Sequence, residues 1–194
     1  MRSRRAKELL VIGVTLALAG SADAREIEGM KLPERVPIGQ TTLTLNGAGV
    51  RTKMLVKAYV GALYLQTPTN DGAVAISSDQ PKRVTLVLLR DLSRDKMQTG
   101  LREGFQHNNS PERLQALAPQ MQKFEAFLQS GKRGDWMTLT YIPGRGTTAT
   151  NSAGASILIP GKDFADALYS IWLGPHPMDD GLKKAMLAGP PGGA

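Results

Sequence analysis

Asn46-Gly47-Ala48-Gly49-Val50-Arg51-Thr52-Lys53-Met54-Leu55-Val56-Lys57-Ala58-Tyr59-Val60-Gly61-Ala62-Leu63-Tyr64-Leu65 joins a glycine pair and an arginine to a β-rich run interrupted by Lys57, Tyr59 and Tyr64. The glycines read as a tight turn, and the run after them as a strand rich in branched and aromatic residues. Strand side chains alternate between faces, so Val56, Ala58, Val60, Ala62 and Tyr64 share one face while Lys57, Tyr59, Gly61, Leu63 and Leu65 share the other. Arg51 has the parity of Tyr59. Eight residues of unbroken strand would still hold the two roughly 26 Å apart at about 3.3 Å per residue. A turn or bulge between Thr52 and Leu55 brings them together, and a guanidinium and a phenol can then converge on one anionic group. The plainer alternative makes Arg51 a solvated strand-end charge and Tyr59 a core phenol bonded to backbone.

Around this stretch the chain reads as α+β. Residues 25–40, with Gly29, Pro33 and Pro37 among charges, form an extended arm, and Thr41 to Leu45 is a short strand. Pro68 to Gly72 is a loop, and Arg83 to Leu89 is a buried strand. Ser93 caps a helix on which Met97, Leu101 and Phe105 recur, while Gly100 and Gly104 leave a shallow side for another element or a ligand. Ser110 caps a second helix with Pro111 at its first position; Pro119 kinks or splits it, and Gly131 ends it. Trp136 to Ile142, Thr147 to Asn151 and Ile157 to Ile159 are strands, the first two joined by a turn at Pro143 to Gly146. Lys162 to Leu173 is a helix closed by Gly174, and Asp179 caps a last one. An antiparallel sheet covered on one face by a layer of helices follows, as one domain over residues 41–189 with a flexible tail at 190–194.

Composition narrows function. The 194 residues include no cysteine, which rules out disulfides, thiolate metal sites and a cysteine nucleophile. His107 and His176, the only histidines, read as loop residues far apart in sequence, so neither a metal site nor a Ser-His-Asp constellation is indicated. Asp179-Asp180 reads as a helix cap rather than a metal pair, and Pro143 to Thr147 as a hairpin turn rather than a phosphate loop. No cofactor is called for.

Residues 1–24 have the pattern of a secretory signal: Arg2, Arg4, Arg5 and Lys7, then an apolar run from Leu9 to Ala19, then Ala22-Asp23-Ala24 as a cleavage site. Cleavage after Ala24 and a periplasmic or secreted location are the expectation. No later stretch reaches the roughly 20 apolar residues of a membrane helix, so stable membrane insertion is not expected. The formal charge of +7 falls to about +5 without the first 24 residues. Its lysines and arginines are scattered without stacking aromatics, which speaks against nucleic acid and for small anions or lipid headgroups.

The run Gly47 to Leu65, with Leu89-Arg90-Asp91, Glu103-Gly104-Phe105, Gly134-Asp135, Pro143-Gly144-Arg145-Gly146-Thr147, Asp163-Phe164 and Ile171-Trp172-Leu173-Gly174, resembles the bacterial branch of the chalcone isomerase-like family. The likeness spans about residues 38–189 and lies in the order and spacing of the set. It implies a large antiparallel sheet under a helical layer, with a ligand cleft between them. In plant chalcone isomerases an arginine after the first strand's glycines binds the substrate phenolate; the resemblance places it at Arg51. A threonine that helps polarise the ketone falls at Tyr59, a helix tyrosine and asparagine at Met97 and Gly104, and a late threonine or serine near Ile171. The arginine is kept and the other polar groups are replaced, leaving an apolar slot lined by Met97, Leu101, Gly104 and Ile171 above a cationic floor. An arginine paired with a tyrosine is what the family's noncatalytic fatty-acid-binding members use to hold a carboxylate. The leading expectation is therefore an exported binder of a fatty acid or similar amphipathic carboxylate, anchored by Arg51 and Tyr59. The alternatives are an intramolecular lyase acting on a phenolic enone and an envelope structural or interaction protein without a small ligand.

Overall fold

The computed structural model describes residues 24–190. Apart from Ala24, the signal segment lies outside the described residues, as do residues 191–194 of the tail.

The chain opens with a hairpin of β1 (Ala24–Ile27) and β2 (Met30–Pro33). A seven-stranded sheet follows: β3 (Arg35–Ile38), β4 (Thr41–Lys53), β5 (Val56–Leu65), β6 (Lys82–Leu88), β7 (Trp136–Ile142), β8 (Gly146–Asn151) and β9 (Ser156–Ile159). Every neighbouring pair is antiparallel, and the spatial order is the sequence order. Six helices complete the fold: α1 (Gly72–Ser77), α2 (Arg94–Asn108), α3 (Pro111–Ala116), α4 (Ala118–Phe127), α5 (Lys162–Leu173) and α6 (Asp180–Met186).

The helices share one face of the sheet. There Tyr59, Leu63 and Leu65 of β5 meet Phe105, Phe124, Phe164, Leu168 and Ile171 in one apolar core. The even-numbered Val60, Ala62 and Tyr64 point the other way, as strand alternation requires. They pack with Leu43 and Leu45 of β4 and with Leu32 and Val36 from residues 25–40. That segment, read as an extended arm, is thus the first hairpin and the edge strand, and it shields the second face. Burial on both faces explains why β5 is buried from Ala58 to Leu65.

Local signals place the helices. Ser93 and Ser110 cap α2 and α3 through their hydroxyls, and Pro119 in the first turn of α4 separates it from α3. Gly131 does not end α4, contrary to expectation: the helix stops at Phe127, and Gly131 exchanges two 2.9 Å backbone hydrogen bonds with Leu92. A Cβ there would meet Leu88 Cδ1 at 2.6 Å, so glycine lets the Leu88 side chain pack against the backbone. The loop expected to run to Gly72 gives way to α1, whose amides at Ala73 and Val74 donate to the Asp71 carboxylate.

Gly47 and Gly49 do not turn the chain. They lie inside β4, and α6 packs directly over them: a Cβ on Gly49 would lie 2.5 Å from Ala185 Cβ, and one on Gly47 would collide with backbone carbonyls of α6. The reversal comes at Met54 and Leu55, with φ of 49° and 66°, between the paired Lys53 and Val56. Positive φ at both central residues is a type I′ turn, which normally selects asparagine and glycine. Leucine in that region is strained by about 1–2 kcal/mol. Leu55→Gly is therefore expected to raise unfolding stability by roughly 1 kcal/mol in urea denaturation, after the greater backbone freedom of glycine is counted; an unchanged or lower midpoint would refute strain at this turn.

Candidate functional site

The two-residue turn makes Arg51 and Tyr59 direct cross-strand partners. The register shifts between Arg51/Tyr59 and Thr52/Lys57, leaving Ala58 as the extra residue of a bulge. The turn or bulge expected between Thr52 and Leu55 is the turn at Met54 and Leu55; the bulge lies just beyond it, at Ala58. Arg51 stacks over the Tyr59 ring, Cζ to centroid 5.6 Å.

Tyr59 is 6% exposed, and its hydroxyl accepts a 2.9 Å hydrogen bond from Trp172 Nε1 on α5. Its own proton points to Met178 Sδ at 3.5 Å. A thioether is a weak acceptor, so that proton can be redirected to a ligand oxygen at little cost. Burial pushes the Tyr59 phenol above its ordinary range, although the Arg51 charge and the Trp172 bond pull the other way. The group is a neutral donor at physiological pH. Arg51 is half-buried; its Nε is shielded from solvent and has no hydrogen-bond partner among the described residues.

A cavity of about 1130 Å³ opens beside this pair, between one end of the sheet and the helical layer. Ala58, Tyr59, Leu86 and Leu88 form its sheet side; Met97, Gly100 and Leu101 of α2 and Phe124 and Phe127 of α4 form its helix side. Ile171 and Trp172 of α5 close the back. The frame is tied across the helices: Arg102 on α2 makes a bidentate pair with Glu125 on α4, at 2.9 and 2.7 Å.

Of the residues singled out in the sequence, Arg51, Tyr59, Met97, Leu101 and Ile171 line this one cavity. Gly104 does not. It lies under Ile171, whose Cγ2 would be 2.7 Å from any Cβ there, and it borders a neighbouring pocket of about 230 Å³. That smaller pocket also gathers Arg51, Glu103, His107 and His176, so the fold brings together two histidines that are distant in sequence. Among the described residues no three His, Asp or Glu side chains form a metal-binding group. Trp172, Met178 and Arg90 are lining residues that sequence reasoning missed. Trp172 had a signal, since it follows Ile171 on a helix whose residues are mostly apolar; Met178 and Arg90 lie outside regular elements, where periodicity carries no information.

An antiparallel sheet under a single helical layer, with an apolar cavity at one end and an arginine–tyrosine pair in its lining, defines an α+β domain with a concave apolar site. The model of the chalcone isomerase-like family matches residues 24–188, and the chain belongs to that family. The crystal structure of a fatty-acid binding protein from Arabidopsis thaliana is similar to it with a TM-score of 0.64, at 14% sequence identity, over 85% of this chain and 96% of that one. At that identity the likeness is one of fold.

Proposed function

We propose that this chain is a noncatalytic, exported binding protein for a fatty acid or a similar amphipathic carboxylate. The observation that carries the reading is the Arg51 guanidinium, stacked over Tyr59 in the lining of a large apolar cavity. A carboxylate there would accept from the guanidinium and from the redirected Tyr59 hydroxyl. The acyl chain would lie between α2, α4 and the sheet, where each buried methylene contributes about 0.8 kcal/mol. The fatty-acid binding neighbour supports the ligand class, and the basic, apolar, small-residue order of residues 1–24 supports export.

The lyase alternative would use the same arginine to hold a phenolate but needs a second donor for the ketone. Met97 and Ile171, which stand where the resemblance places polar groups, supply none, and Tyr59 is the donor beside Arg51. Native mass spectrometry of protein purified from cells is expected to show a copurified acyl mass. A clean apo mass that persists after incubation with lipid would overturn the assignment, and Arg51-dependent cyclisation of a chalcone above the spontaneous rate would put the lyase in its place.

A further inference from the structure

The turn that pairs Arg51 with Tyr59 also exposes apolar surface. Leu55 is 98% exposed and Met54 89%, and both are held in the left-handed region that asparagine and glycine normally occupy. Bulky apolar side chains, strained and turned into solvent, do nothing for the fold; the residues suited to this turn would leave it bare and relaxed. Met54 and Val56 border the cavity, and so does Trp136, 41% exposed at the start of β7. Strand pairing places Trp136 beside Val87, at the same end of the sheet as the turn.

Lysines and arginines outnumber acidic residues around this rim. Arg51, Lys53 and Lys57 flank the tip with no acidic residue between positions 51 and 57. Exposed Arg90, Lys96, Lys132 and Arg133 lie on the segments bordering the same end. Lys57 has a partner, Glu28 at 2.7 Å. Nearby Asp91 and Asp135 accept from the backbone amides of Arg133 and Lys132, while Asp95 and Glu103, exposed along α2, also border the cavity.

We propose that this rim is a docking surface for an anionic lipid bilayer, into whose interface Leu55 and Met54 dip while the surrounding cations meet headgroups. Apolar tips at the same end of the sheet as an amphipathic tryptophan, among lysines and arginines that outnumber the acidic residues, match the layering of such an interface. The docking geometry stands on exposed residues alone. Its purpose rests on the ligand reading above, because a cavity mouth facing a bilayer lets an acyl chain pass between them without crossing water.

The test uses the chain from Ala24, which contains every described element, and vesicles of phosphatidylcholine with about one-third phosphatidylglycerol. The protein is expected to cosediment with them at low salt and to be released as salt rises. Leu55→Gly should lower the partition coefficient roughly tenfold, because the side chain it removes is a fully exposed apolar one. Native mass spectrometry of both proteins separates the two readings. Equal acyl retention without cosedimentation overturns docking and leaves the ligand assignment standing; Leu55-dependent cosedimentation without any acyl mass supports docking and removes the ligand. Sedimentation of Leu55→Gly equal to that of the unaltered chain overturns the proposal. So does a concentration-dependent dimer that Leu55→Gly abolishes while neither protein binds vesicles, which would make the tip a contact between copies.

Discussion

Arg51→Leu is expected to lose the acyl ligand and, in the same molecule, to make the ligand-free protein more stable. Each charge-assisted hydrogen bond from a guanidinium to a carboxylate contributes about 1.5–3 kcal/mol, so removing the fork should weaken binding by roughly 30-fold or more. Stability responds to different groups. The buried Nε, unpartnered among the described residues, carries a desolvation penalty of about 1–3 kcal/mol that leucine does not. Against this stands the lost cation–π contact with Tyr59, worth about 0.5–1 kcal/mol, which leaves a net gain of roughly 1 kcal/mol. Fluorescent fatty-acid displacement reads the first effect and urea unfolding of delipidated protein the second. Arg51→Lys should fall between the two, since an ammonium keeps the charge but not the planar fork. Unchanged affinity in Arg51→Leu would remove the anchor, and a loss of ligand-free stability without a loss of affinity would make Arg51 a structural residue.

That pairing was the part of the site most open to sequence reasoning. Arg51 and Tyr59 share strand parity, and one reversal between them suffices to bring them together. Where the reversal falls was harder to read. Glycine normally marks a turn, so Gly47 and Gly49 drew the reading, yet both stay extended and serve close approach instead. The actual turn is made by Met54 and Leu55, which local propensity argues against; a strained turn at the cavity mouth is where a local rule is expected to fail. Lys82 is a second case. A lysine at the head of a strand reads as solvent-facing, but it is fully buried. Its ammonium donates to the Ala75 and Ile76 carbonyls near the end of α1, and burial pulls its pKa down to about 8. Without α1 in the reading, that role had no signal. Helices set by a side-chain cap, such as α2, or by strong periodicity, such as α5, were legible nearly to the residue; contacts arising from loops, such as Met178 against Tyr59, were not.

The largest loss of stability is expected from Asn46→Leu, at about 4 kcal/mol. Asn46 is fully buried at the irregularity between Leu45 and Gly47, and its amide joins three parts of the chain. Nδ2 donates to the carbonyls of Thr69 and Met186, both at 2.9 Å, and Oδ1 accepts from the Thr69 amide at 2.9 Å. Leucine has a similar volume but leaves three backbone groups without partners, at about 1–3 kcal/mol each before relaxation, which places the change in the exceptional tail of single substitutions. Asn46→Asp should be no better, because the carboxylate would present an acceptor to two carbonyls and bury a charge. The damage should also reach the cavity. Asn46 holds the end of α6 against the Gly47–Gly49 surface of β4, and the start of α6 is tied to β4 where Asp179 accepts from the Thr52 amide at 2.9 Å. Met178, next to that cap, is the partner of the Tyr59 hydroxyl. If α6 loosens, Met178 leaves, and the phenol held by Trp172 loses its second contact. Urea unfolding followed by tryptophan fluorescence should show the lower midpoint, with a native-state emission shift from Trp172 before global unfolding. A midpoint within experimental error of the unaltered protein would mean that water or a shifted loop satisfies the three groups, and that α6 is held by its apolar face through Leu182 and Met186 alone.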